Sequence, residues 1–177
     1  MRETLRQAFH VVYGLLLAGL LVSLGSLLTA GIISILLALG FLLQRVAAKN
    51  RHLIAILKVF GRPEEKTPGE GAVLFTLGCG LAVIFFPKWV ALASILVLTL
   101  ADAASTLFGR LHGSHKISGK SLEGALAFLV VAVLTLMGLG LAALLAAGTA
   151  LIATIVEAVV PLDDNVTVPL VVGLLLL

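Results

Sequence analysis

From Val11 to Leu43 the chain runs through 33 residues without a charged or histidine side chain. A helix needs about 20 residues to cross the hydrocarbon core of a bilayer, at about 1.5 Å per residue. This run is long enough for two crossings, with Gly25 supplying the turn between them. Backbone groups in lipid must be paired, and runs this long and continuous do not suit barrel strands, so helices are expected. The predicted helices are 8–25, 27–48, 71–87, 89–109, 122–138, 140–160 and 166–177. The last is too short to cross alone. Gly138–Leu139–Gly140 marks a tight turn, and 122–160 reads as two helices or as one long broken element. The fold class is all-α: a polytopic transmembrane helical bundle of about seven helices, in a single domain spanning 1–177. Arg2 and Arg6 precede the first run as in a leader peptide. Its hydrophobicity continues past "LLTAG", however, so a retained segment is expected.

Only 12% of residues are charged against 60% hydrophobic, where soluble proteins carry roughly a quarter charged. The net charge of +3 does not point to nucleic acid. The basic residues sit in short segments between apolar runs, where they act as topology signals. Arg2 and Arg6 stand at the N-terminus. Arg45, Lys49, Arg51, Lys58, Arg62 and Lys66 fall in 44–70, and Arg110, Lys116 and Lys120 in 109–121. The opposite turns hold Lys88 alone. With seven helices these segments share one face, expected to be cytoplasmic, and the acidic loop "PLDDNVTVP" joins them there. In 44–70, Leu53, Ile56, Leu57 and Phe60 recur at helical spacing. They predict a short interfacial helix ended by Gly61 and Pro63. Cys79 is the single cysteine, which leaves no disulfide and no thiolate metal cluster.

The candidate chemistry gathers at that face. Thr99, Asp102, Ser105, Thr106 and Gly109 form one polar, small-residue stripe on the fourth helix. A lipid-facing Asp costs a few kcal/mol or more, so Asp102 should face the bundle interior. A magnesium or substrate role is favoured there over a helix-packing stripe. "SGKSLEG" ends like a phosphate-binding loop, with Gly119, Lys120 and Ser121. The preceding glycine is out of register and no strand leads in, so the nucleotide-hydrolase P-loop is excluded. A small-residue loop opening a helix still offers backbone N–H groups and a lysine to phosphate. The plainer alternative makes Ser121 an ordinary cap and Glu123 a first-turn acid favoured by the helix dipole. Asp163, Asp164 and Asn165 are a hard-cation ligand set if they are not a solvated turn. Glu157 could join that site or reach the interface. Arg6 and His10 lie one turn apart and could grip phosphate. His112 and His115 read as loop residues.

"LRQAFHVVYGLL", "LADAASTLFGRLHGSHKISGKSLEGALAF" and "LDDNVTVPL" resemble, in that order, the dolichol kinase, phytol kinase and CTP-dependent diacylglycerol kinase family, over nearly the whole chain. The resemblance implies a polytopic enzyme that transfers the γ-phosphate of a nucleotide, usually CTP, to a lipid alcohol, with Mg²⁺ as cofactor. It places catalysis on Asp102, Lys120, Arg6 and His10. Nucleotide binding falls to Gly109, Lys120, Ser121, Glu123 and Asn165, and Lys116 and Gly119 of the same loop are further candidates for it. The metal falls to Asp102, Asp163, Asp164 and Glu123. Gln7 departs from the lysine that many members carry after the arginine. The implied partners are CTP or another nucleotide, a lipid alcohol and membrane lipids; a homodimer is allowed. The nearest rival is a CDP-lipid synthase. That class typically shows a Ser-Pro-Lys-Lys-Thr run where this chain has Ile117–Ser118–Gly119–Lys120–Ser121. A non-enzymatic transporter would scatter polar residues at mid-membrane in several helices, whereas here they collect at one end.

Overall fold

The computed structural model describes the backbone of residues 2–50, 52–54, 65, 67–117 and 120–177. The architecture is all-helical apart from one very short hairpin. Helix α1 is Arg2–Ala47, α2 Glu70–Phe85, α3 Lys88–His112, α4 Leu122–Gly138, α5 Ala143–Val159 and α6 Asp164–Leu175. Between α3 and α4, β1 (Lys116–Ile117) pairs antiparallel with β2 (Lys120–Ser121). That segment was expected to be a plain loop.

Two predicted helices meet in α1, where Gly25 breaks the helical path at φ 78° and ψ 174°. A break frees carbonyls from the ladder. One is taken up by a side chain: Lys88 Nζ donates to Val22 O at 2.8 Å. The ambiguous stretch 122–160 resolves as two helices, turned at Gly140 with φ 90°. Of the predicted interfacial helix, His52–Ile54 are helical, and Ile56, Leu57, Phe60, Gly61 and Pro63 lie outside the described residues. Among the described residues two helices, Glu3–Ala47 and Lys88–His112, are long and apolar enough to cross a membrane. The others fall in the 10–17 residue range.

The centre of the molecule is α3, which packs against α1, α2, α4 and α6, while α5 closes against α4 and α6. Small side chains let backbones approach closely, as is common between membrane helices. Gly14 of α1 faces Thr99 of α3, and a Cβ on Gly14 would come within 2.1 Å of the threonine hydroxyl. Since α1 and α3 run antiparallel, Arg6 and His10 then fall beside the Asp102–Thr106 turns. The same reading pairs α2 with α6: Gly78 abuts Asn165 and Phe86 abuts Gly173. Equal spacing on both helices means they run parallel.

Candidate functional site

Three acids from three helices converge. Asp102 comes from α3, Glu157 from the last turns of α5 and Asp164 from the first turn of α6. All three are buried, and one oxygen of each lies within 4.8 Å of the others. Lys120 of β2 closes the group. Its Nζ is 2.6 Å from Glu157 Oε1 and 3.0 Å from Asp164 Oδ2. Burial alone would lower the Lys120 pKa, but the Asp164 and Glu157 carboxylates outweigh it and raise it. It stays an ammonium through neutral pH. Ser105 Oγ donates to Glu157 Oε1 at 3.2 Å.

Three carboxylates with one ammonium leave the floor of the site electron-rich. Glu157 Oε2 and Asn165 Oδ1 are buried and accept no hydrogen bond among the described residues. Leaving a buried acceptor unmade costs about 1–3 kcal/mol. A hard divalent cation takes carboxylate and amide oxygens of this kind. Asp102, Glu157 and Asp164 therefore fit such an ion, with Asn165 as a neutral donor on the same turn as Asp164. Above the floor opens a cleft of about 320 Å³, whose walls carry Arg6, Lys116, Lys120, Ser121, Gly109 and Gly113. Its cations suit an oxyanion, and its two glycines and two serines keep the wall low.

The local sequence explains how these groups arrive. Asp163 is the N-cap of α6, and its Oδ1 accepts from Asn165 N at 3.0 Å and Asn165 Nδ2 at 2.8 Å. This turns Asp164 inward at the first helical position. Pro169 sits inside α6 and has no N–H to offer the Asn165 carbonyl four residues back. That carbonyl faces Gly78 of α2, where a Cβ would stand 1.9 Å from the oxygen. So a proline and a glycine on different helices together seat the α6 start. Ser121 caps α4, accepting from Gly124 N at 3.1 Å. Gly109 and Gly124 let α3 and α4 approach: a Cβ on Gly109 would lie 3.3 Å from Gly124 Cα.

The structure brings together Asp102, Lys120 and Asp164 at the floor, and Arg6, Gly109, Lys116 and Ser121 around the cleft. Gly119 lies outside the described residues. Two residues expected to hold metal go elsewhere. Asp163 spends its carboxylate on the α6 cap. Glu123 turns away from the floor and accepts from Ser114 Oγ at 2.6 Å, with His115 Nδ1 at 2.9 Å. There it clamps the loop before β1, because the helix start presents its first-turn acid to that loop's donors. Asp164 and Asn165 were placed in a loop between prolines, yet both belong to α6. Arg6 is held by an ion pair to Glu3 on its own helix. His10 is buried with its ring edge-on to Phe75, centroids 5.0 Å apart. Glu157, left open by the sequence, stands at the centre. Its signal was the seam Ala146, Ala150, Ala153, all buried, which continues at helical spacing to Glu157 on the same face.

An uncharacterized protein of Methanocaldococcus jannaschii, MJ1137, is 31% identical over 184 residues, covering 99% of this chain and 93% of its own length. The CTP-dependent diacylglycerol kinase 1 of Eremothecium gossypii is 40% identical over 77 residues, 42% of this chain and 24% of the kinase. The chain thus matches about a quarter of that enzyme. No family model and no solved structure matches.

Proposed function

The chain belongs to the family of the Methanocaldococcus jannaschii protein MJ1137, and from that premise and the shape of the site we propose that it is a membrane-embedded lipid-alcohol kinase. It transfers the γ-phosphate of CTP, or of another nucleoside triphosphate, to the hydroxyl of a polyprenol, a phytol-like isoprenoid alcohol or diacylglycerol. The observation that carries this reading is the joining of a cation-walled cleft to a floor of three buried carboxylates. Phosphoryl transfer asks for that pair: positive groups around the phosphates and a metal-holding set beneath them. The partial likeness to a CTP-dependent diacylglycerol kinase supports the same class.

In this reading the chain is multi-pass, with the two halves of α1 and all of α3 crossing the membrane and the cleft open to the cytoplasm. Mg²⁺, when bound, neutralises charge on the triphosphate. Asp102, Glu157 and Asp164 hold it, replacing the ligand set expected from sequence. Arg6, Lys116 and Lys120 orient the phosphates, and Ser121 lines the wall beside them. The alcohol oxygen bonds to the γ-phosphorus as the bond to the β-phosphate oxygen breaks. CDP leaves, and the hydroxyl proton passes to a basic side chain near the floor, for which Asp102 and His10 are the candidates.

The test uses purified protein with CTP labelled at the α or the γ position and a panel of long-chain alcohols and diacylglycerol. Label from the γ position in the lipid, with CDP released, is the expected result. Label from the α position, with pyrophosphate released, would make the protein a CDP-lipid synthase. No transfer from any nucleotide to any alcohol would remove the reading.

A further inference from the structure

Lys120 and a divalent cation would compete for the same two carboxylates. The ammonium lies 2.6 Å from Glu157 Oε1 and 3.0 Å from Asp164 Oδ2. Those two carboxylates, with Asp102, are the set whose oxygens lie within 4.8 Å of one another. Two observations mark this floor as a seat for a cation rather than a mere acidic cluster. An ammonium already bridges two of its acids. Glu157, only 4% exposed, also keeps Oε2 buried with no hydrogen-bond partner among the described residues. A lone pair given to an ammonium proton is not available to a metal. A like charge within a few ångströms of a divalent ion also repels it strongly in a partly buried site. The two therefore disfavour each other at one seat. Lys120 has somewhere else to go: it stands where the floor meets the cleft, with its side chain 36% exposed, and its four-carbon stem is flexible.

We propose that Lys120 is an exchangeable cation, which occupies Glu157 and Asp164 until a divalent ion displaces it and then swings into the cleft to grip phosphate. The displacement rests on geometry alone; the second half, the grip on phosphate, rests on the phosphotransfer reading. The exchange makes metal and nucleotide bind cooperatively. Metal alone must break two ion pairs to enter. A triphosphate offers the displaced ammonium a new partner and removes part of that cost, and the coupling is reciprocal.

The experiment measures Mn²⁺ binding to the full chain in detergent, without nucleotide, by the loss of the free-ion electron paramagnetic resonance signal. Lys120→Met and Lys120→Gln are compared with wild type. Both variants are expected to bind Mn²⁺ at least about tenfold tighter while losing transfer activity. Affinity equal to or weaker than wild type overturns the exchange. Glu157→Gln is expected to weaken Mn²⁺ binding about tenfold or more, and unchanged binding overturns the seat itself. Stability gives a second readout, since a ligand that binds only the folded state stabilises it. Saturating Mn²⁺ should raise the thermal midpoint of Lys120→Met more than that of wild type; an equal or smaller rise counts against the proposal. Tighter Mn²⁺ binding in a protein that phosphorylates no alcohol would keep the exchange and remove the kinase reading. Phosphorylation without tighter binding would do the reverse.

Discussion

Helices α4 and α6 begin with the same local grammar and use it for opposite ends. Each opens on a capping side chain, Ser121 or Asp163, whose oxygen accepts from a backbone N–H in the first turn. Each carries an acid in that first turn, Glu123 or Asp164. In α4 the acid faces outward and clamps Ser114 and His115. In α6 the acid faces inward and meets Lys120, Glu157 and Asp102. A first-turn carboxylate is favoured by the helix dipole in either case. Caps and dipoles therefore mark where a helix starts. Which acid does chemistry depends on what the rest of the bundle puts beside it. Gly78 and the proline-freed Asn165 carbonyl seat the α6 start against α2, whereas Gly109 and Gly124 seat the α4 start against α3 and leave Glu123 facing the loop before β1.

That contrast can be broken at several points. The largest effect is expected from Lys120→Ala and Asp164→Asn, each lowering turnover by about a hundredfold, since a charged contact worth about 2.7 kcal/mol gives that factor. A magnesium titration of Asp164→Asn should shift to higher concentration, and superimposed curves would put the ion elsewhere. Asp102→Asn follows, with a loss of at least about tenfold, checked by steady-state kinetics on protein verified in membranes. Gly78→Ala is next. Its new methyl must push the α6 start outward, so the magnesium requirement should rise several-fold. Gly80→Ala, whose methyl meets the movable Ile33 side chain, should leave that requirement alone. The smallest effects belong to the other side of the comparison. Asp163→Ala should cost about 0.5–1 kcal/mol of stability, read from thermal melts, and Glu123→Gln should lower the thermal midpoint slightly, both with the magnesium curve unmoved. A shifted curve for Glu123→Gln would make the two helix starts functional equals.

Much of this was legible in the chain. Hydrophobic run length gave α2, α3, α4 and α5 to within a few residues, because each apolar run is bounded by charges, prolines or glycines that end a helix. Gly25, near the middle of a run long enough for two crossings, announced the break in α1, since glycine takes a positive φ cheaply. Asp102 and Lys120 were findable because charges are rare in this chain and expensive in its surroundings. Glu157 was harder. Its partners are 52 and 37 residues away in sequence, at Ser105 and Lys120. Only the packing of α5 on α6 distinguishes the site from the interface. The tandem Asp163–Asp164 was read as a pair because spacing cannot say that one caps the helix and the other turns toward Lys120 and the buried acids. Pro169 misled for a related reason: it looked like a loop boundary and instead lies within α6, with the carbonyl it leaves unpaired facing a glycine.

On the proposed kinase reading, the half-length of α6 decides which substrate has to travel. The helix starts at the carboxylate floor, level with Asp102, and Asp102 lies ten residues, about 15 Å, along α3 from its last residue His112. Reaction at that depth asks the water-soluble donor to lower its charged tail between helices. It would ask little of a long-chain alcohol, if that is the acceptor, which could keep its hydrocarbon among acyl tails and move sideways to present its hydroxyl. Lifting such a chain into water costs about 0.8 kcal/mol per CH₂, or ~16 kcal/mol for a chain of about twenty carbons. A floor sunk in the bundle leaves that extraction out of the activation barrier.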